Sequence, residues 1–298
     1  MKKRWILNII MLAVVAGLVA FLYLRPQADV EEKANYEVSQ LKLADIRAVK
    51  VEFPAKSPVM FEKLDGYWLM KAPYKQRADQ LSVQRILSII AAKSEYKFPI
   101  SDLAKFGLDN PLVRVTITNE GGEEVFSYGA YNTVTNEQYI AYQDGVYLLS
   151  VGYSEAASTQ PIEMVDKNIL SPAETKQLTG FDFSLLEQWE ALHLNLDMDN
   201  NGQWKTNVAK AKPTQNDLNE WLEFSWKQNP AKEVETYTPD RNASYPSLTL
   251  KMRNGKKVRI EKMMESPELL LARPDEGLIY HYNNDVGFTM LNPPLNIK

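Results

Sequence analysis

Landmarks in this chain recur at a nearly constant distance, and that recurrence limits the folds open to it. Gly66-x-Trp68 returns as Gly202-x-Trp204, 136 residues on, and Pro111 returns as Pro246, 135 residues on. Between these points the order of signals is the same. A strand-like stretch (Ile46, Val49, Val51, Phe53 in one half; Leu192, Leu194, Leu196 in the other) precedes a Gly-x-Trp turn. A helix is expected from about Asp79 and again from about Asp217, then a strand pair from Pro111 and from Pro246. Val83, Ile86, Leu87 and Ile90 fall at i, i+3, i+4 and i+7, a single apolar stripe, as do Leu218, Trp221, Leu222 and Ser225. These signals predict tandem copies of one α+β unit, each made of antiparallel hairpins packed with one helix.

The second strong signal is the run from Trp5 to Leu24, which carries no charged side chain. Twenty helical residues rise roughly 30 Å, the thickness of a bilayer core. Lys2, Lys3 and Arg4 precede the run, which predicts a cytoplasmic N-terminus and the bulk of the chain outside. Bulky Phe21 to Leu24 at its end argue against a cleaved signal. The expectation is a single-pass protein of a bacterial inner membrane with a periplasmic body, and the bilayer is its first partner through residues 5–24. The organisation predicted is a tip and anchor over 1–25, a linker over 26–45, one unit over 46–151, a helical connector over 152–190 and a second unit over 191–298. Within the connector, Ser171-Pro172-Ala173-Glu174 reads as a capping box and Gly180 as a stop.

Charge narrows the partners. The chain has 34 Lys+Arg against 38 Asp+Glu. Setting aside Lys2, Lys3, Arg4 and Arg25 leaves 30 against 38 in the exported body. An acidic body argues against nucleic acid. Zero cysteines exclude disulfides, thiolate metal sites and thiol nucleophiles.

Leu248, Leu250 and Met252 alternate with polar residues, as do Val258 and Ile260 after Asn254-Gly255. A three-residue loop with a left-handed Gly255 pairs Leu250 with Val258 and Leu248 with Ile260. Lys251, Lys257 and Arg259 then share the other face, a candidate docking surface for an acidic partner or a solvated face. Tyr139, Tyr142 and Tyr147 form a second candidate surface, by stacking, or pack across strands.

Asp197, Asp199 and Asn201, followed by Gly202, match the first half of a calcium loop. Position 12 is Val208, so a hairpin turn is the simpler reading. His193 and His281 lie in strand-like stretches with no metal-pair spacing, and no nucleophile elbow or phosphate loop appears. No cofactor and no catalytic residue is expected.

Phe106-Gly107-Leu108-Asp109-Asn110-Pro111 carries a resemblance. With Trp68, Pro73 and Ala78-Asp79 before it and the stretch from Tyr139 to Leu149 after it, the chain resembles the bacterial domain-of-unknown-function family 4340. The basic start and Arg25-Pro26 exit are similar to its membrane-anchored members. That resemblance implies an envelope or transport accessory role, since members are often encoded beside ABC-type exporter subunits and gliding-motility-like proteins. It carries over no site residue. From the residues alone, Gly107 ends a helical turn and Asn110-Pro111 starts an extended strand. The functional expectation is a non-catalytic accessory or scaffold protein of an envelope or ABC-type complex. A binding module for a glycan, peptide or cation, using the cleft between the units, is the alternative, and a hydrolase with an unrecognised carboxylate site the second.

Overall fold

The structure is a computed structural model that describes residues 11–21, 34–240 and 243–297. Strand, not helix, dominates it. The first part contains β1 (Tyr36–Glu37), β2 (Ala48–Glu52), β3 (Val59–Leu64), β4 (Tyr67–Ala72), β5 (Gln76–Arg77), β6 (Lys93–Ser94), β7 (Lys97–Pro99), β8 (Val113–Asn119), β9 (Gly122–Asn132), β10 (Glu137–Tyr142) and β11 (Gly145–Ser150). The second contains β12 (Leu178–Leu185), β13 (Asn195–Met198), β14 (Trp204–Thr206), β15 (Glu233–Thr236), β16 (Ser247–Met252), β17 (Lys257–Met264), β18 (Glu268–Arg273) and β19 (Leu278–Asn283). Helices are short: α1 (residues 11–21), α2 (Gln80–Leu87), α3 (Gly152–Ser158), α4 (Pro172–Gln177), α5 (Gln215–Trp221) and α6 (Asn284–Leu291).

Two expectations are corrected here. The α+β class, with hairpins each packed by a helix, gives way to two continuous antiparallel sheets of nine and eight strands. The apolar stripes of α2 and α5 are real, with Val83, Ile86, Leu87, Leu218 and Trp221 buried. They cover only about two turns each, whereas every hairpin pairs onward with the next strand. The single-pass inner-membrane assignment is also corrected: among the described residues no helix is long and apolar enough to cross a membrane. The proposed anchor ends, Trp5 and Leu24, and the orientation signal Lys2, Lys3 and Arg4 lie outside the described residues.

The two sheets repeat one strand order. The first runs β5-β4-β3-β2-β8-β9-β10-β11-β7 and the second β14-β13-β12-β16-β17-β18-β19-β15. Without β5, each position in one has a counterpart in the other. The hairpin of β16 and β17 sets Leu250 opposite Val258 and Leu248 opposite Ile260, with Gly255 left-handed at φ 83°, as the alternation requires. The second sheet begins at Leu178, inside the stretch expected to connect the units. Gly180 is therefore no helix stop. It lies in β12, where a Cβ would sit 2.7 Å from the Leu196 carbonyl oxygen and the Asp197 carboxylate.

One side-chain device is built into both copies. In the first, Gln80 accepts from the Trp68 backbone N–H at 2.9 Å and donates back to the Trp68 carbonyl at 3.1 Å. In the second, Gln215 does the same with Trp204, at 2.7 and 2.9 Å. A helix-borne amide thus completes the backbone hydrogen bonding of a strand and ties the start of α2 or α5 to β4 or β14.

The core is one contiguous cluster running from Val38 to Leu295, with residues from both sheets. It is aliphatic under α2 and aromatic under α5, where Phe181 lies 4.9 Å from Trp221 and 5.1 Å from Trp226, ring centre to ring centre. Three indoles close the end of α6. Trp221, Trp226 and Trp189 donate to the carbonyls of Thr289, Met290 and Leu291 at 2.8, 3.2 and 2.8 Å, groups a helix C-terminus leaves unpaired. A second small cluster of Phe106, Leu108, Ala141 and Val146 occupies the other face of β10 and β11. Ile140 and Tyr142 point to the main core and Tyr139 and Ala141 to this one, as strand alternation dictates. The turn that carries Phe106 ends in left-handed Gly107, φ 65°, as expected.

Candidate functional site: the cleft between the first sheet and the connector

The chain between the sheets folds back over the edge of the first. Asp79 N–H donates to the Met164 carbonyl at 2.7 Å, and Asp166 N–H to the Arg77 carbonyl at 2.9 Å. Asp79 also caps α2, accepting from the N–H groups of Leu81 and Ser82. The capping box at Ser171 and Glu174 opens α4 as expected. Between these pieces lies a cleft of about 550 Å³. Its walls come from the β3–β4 turn (Leu64, Asp65, Tyr67, Trp68, Leu69), the strip Arg77 to Gln80, and the connector (Asp166, Asn168, Ser171, Pro172, Ala173). The exposed wall is largely apolar, with a minority of polar groups, the usual make-up of a binding site. A second hollow of about 460 Å³ shares Leu69 and Arg77 with it and continues to Lys71, Lys75, Asp275 and Glu276.

Arg77 and Asp166 in the cleft wall belong to a largely buried ionic cluster that reaches from the first sheet and the connector to the second sheet. Arg77 on β5 donates to Asp166 at 2.6 Å, to the carbonyls of Asn168 and Leu170 at 2.7 and 3.2 Å, and to the Tyr280 hydroxyl at 3.2 Å. Glu276 stands 3.4 Å from it and accepts from the Tyr280 hydroxyl at 2.7 Å. Gln76 donates to the Glu276 carbonyl. Arg273, 1 % exposed, grips both Glu174 oxygens at 3.0 Å, the Asp275 carboxylate at 3.0 and 2.7 Å, and the Ile169 carbonyl at 2.7 Å. Lys256 adds a bond to Glu174 at 2.9 Å.

Burial works against these charges, and their partners outweigh it. For Glu174, burial alone would raise the carboxyl, yet hydrogen bonds from Arg273, Ser171 and Lys256 hold it well below the usual carboxylate range. For Arg273, burial lowers the guanidinium pKa, and Asp275, Glu174 and Glu276 more than restore it, so the net shift is upward. Arg77 is likewise raised, against its burial, by Glu276, Tyr280 and Asp166. Burial, then Glu276, pushes the Tyr280 hydroxyl up. Every one of these groups is fixed in its ordinary charge state at neutral pH.

The residues singled out in the sequence lie elsewhere. Lys251 is tied to Asp197 at 2.8 Å and to Asn195 at 2.8 Å, and Arg259 pairs with Glu261 at 3.2 Å, while Lys257 stands exposed. Tyr142 is buried and stacks on Phe126 at 4.3 Å, Tyr147 is buried, and Tyr139 packs 5.0 Å from Phe106. Asp199 accepts from the N–H groups of Asn201 and Gln203, both at 2.9 Å, and so shapes the turn. No group of residues suited to a metal ion occurs among the described residues. His193 is a left-handed residue after a helical turn, not part of a strand. His281 on β19 lies 3.3 Å from Glu235 and 3.5 Å from Glu268.

A family model described as Domain of unknown function (DUF4340) matches residues 68–241, more than half of the chain. The chain belongs to that family. The matched span opens at Trp68, in the cleft wall, and runs through the connector into the second sheet, so the DUF4340 match straddles the junction. No curated protein and no solved structure matches the chain.

The cleft escaped sequence reading for a plain reason. Arg77 and Glu276 stand 199 positions apart, and Glu174 and Arg273 stand 99 apart. The traceable signal was the capping box, whose Glu174 is also the anchor of Arg273.

Proposed function

We propose that this DUF4340 protein is a non-catalytic accessory protein that holds a segment of a partner polypeptide in the cleft between its first sheet and the connector. The observation that carries this reading is the cleft itself, about 550 Å³, with a largely apolar wall. Two facts support binding over chemistry. Arg77 is spent on Asp166 and on backbone carbonyls, Asp166 accepts from Arg77 and Asn168, and Asp79 is spent on the α2 cap. A polypeptide fits better than a small ligand because the apolar wall is open and apolar surface follows it in the chain: Leu64 and Tyr67 on the wall are 56 % and 46 % exposed, and Leu81, next to Gln80 of the wall, is 61 % exposed. The reading places docking in the cleft rather than on the Lys251, Lys257 and Arg259 face, whose cations Lys251 and Arg259 already have carboxylate partners.

The absence of cysteine makes the test clean. A single cysteine replacing Ala173 in the full-length chain, loaded with a photocrosslinker, should give a discrete polypeptide adduct in its native host. The same probe at Glu123, exposed on β9, should not. Equal labelling at both positions, or none at Ala173, would overturn the reading.

A further inference from the structure

Carboxylates outnumber cations around the cleft. Arg77, the one cation among the cleft-wall residues, is already shared between Asp166 and Glu276. Asp65, exposed in the β3–β4 turn, and Asp79, the α2 cap, make no ion pair among the described residues. Asp65 stands with Leu64 and Tyr67 in the β3–β4 turn, and Asp79 in the strip from Arg77 to Gln80 that also lines the cleft. An occupant that covers the apolar wall would bring its flanking groups against two carboxylates that no cation pairs with among the described residues, Asp79 offset only by the hydrogen bonds of the α2 cap. A cation there gains Coulomb attraction, and an anion pays for desolvating like charges. Tyr67 offers an aromatic surface that takes an aliphatic chain or a cation.

We infer that the cleft is selective for a polypeptide segment that presents aliphatic or aromatic side chains next to lysine or arginine. This rests on the cleft being the binding site, and adds to that reading the charge of its partner. Electrostatic complementarity sets specificity here, while apolar burial supplies most of the affinity. Asp65 and Asp79 are positioned as the discriminating pair.

Three fluorescently labelled peptides with the same leucine, valine and phenylalanine residues, flanked by two lysines, two glutamines or two glutamates, are titrated against the full-length chain by anisotropy. The lysine peptide should bind about tenfold tighter than the glutamine peptide, and the glutamate peptide weakest. That preference should shrink at high salt and vanish in the Asp65→Asn, Asp79→Asn double variant; asparagine still caps α2, so folding is preserved. Equal binding of the lysine and glutamine peptides, or a preference that survives in the double variant, overturns the charge assignment and leaves the apolar cleft standing. If no peptide binds, or if Ala173→Trp in the cleft leaves every affinity unchanged, the cleft reading falls and the charge assignment with it.

Discussion

Removing Arg273 tests whether the ionic cluster fastens the connector to the second sheet. Arg273→Met keeps much of the side chain's volume but deletes the cation that bridges Glu174, on α4, to Asp275 beyond β18. Five hydrogen bonds go with it, one of them to the Ile169 carbonyl in the connector. Breaking one side of a buried ion pair costs about 3–5 kcal/mol, because the partner is left charged and poorly solvated. Lys256 still reaches Glu174 at 2.9 Å and Ser171 still donates to it, which favours the lower end, about 3 kcal/mol. Glu174→Gln keeps the shape and leaves Arg273 with Asp275 and Glu276, so its cost should be about 1–3 kcal/mol. The double variant should be less destabilised than the sum of the singles by about 2 kcal/mol, since neither orphan then remains. Urea unfolding of the full-length chain, followed by tryptophan fluorescence, measures all three. Four of the six tryptophans, Trp189, Trp204, Trp221 and Trp226, lie in or beside the second sheet, so the signal reports the half that Arg273 anchors. A loss under about 1 kcal/mol for Arg273→Met, or strict additivity, would refute the argument.

Three further outcomes are expected from the same geometry. The Glu174 carboxyl has a folded pKa below its unfolded value, so its stabilisation is complete above the usual carboxylate range of about 4.3 and is lost as pH falls through the folded value; acid titration should show wild type losing more stability than Glu174→Gln between about pH 5 and pH 2. Gln80→Ala and Gln215→Ala each leave a tryptophan N–H and carbonyl without their side-chain partner, and each should cost about 1–3 kcal/mol in urea melts, with Gln80→Glu recovering only the accepted bond. Gly107→Ala combines a left-handed φ of 65° with a Cβ placed 2.9 Å from the Ala130 Cβ, and should lose at least about 1 kcal/mol, with amide exchange rising first around Phe106 and Leu108.

Local physics was legible in the sequence, and long-range chemistry was not. The β16–β17 register comes from the alternation around Gly255, because a one-residue slip would turn Leu250 and Val258 out of the core. The capping box and the Gly107 turn were equally local. The fold class was misjudged because a two-turn stripe such as Val83, Ile86 and Leu87 reads as a major layer, while onward pairing of β2 with β8 or β12 with β16 leaves no local mark. The basic face failed differently. Lys251 looked free because its partners Asp197 and Asn195 lie 54 and 56 positions away. The Gln80 and Gln215 clamps did leave a trace, a glutamine twelve and eleven residues after the repeated tryptophan.

The two copies share a framework but part ways once the last strand of each is complete, and that difference decides where a cleft can form. Each sheet leads into a helix, α3 after β11 and α6 after β19. In the second copy the chain beyond the helix returns as Pro293, Pro294 and Leu295; Leu295 is buried and its carbonyl accepts from Lys212 N–H at 2.9 Å. In the first copy the chain beyond α3 makes the corresponding return at Met164 and Asp166, then crosses to the second sheet as residues 167–177. That crossing stands Asn168, Ser171, Pro172 and Ala173 opposite Tyr67 and Trp68, which opens a walled space in place of a simple edge contact. On the proposed reading the repeated sheets are the support, and recognition is assigned to residues 166–173 with the β3–β4 turn. Changes in the sheet interiors should act on stability, and changes in those two short segments should act on partner choice.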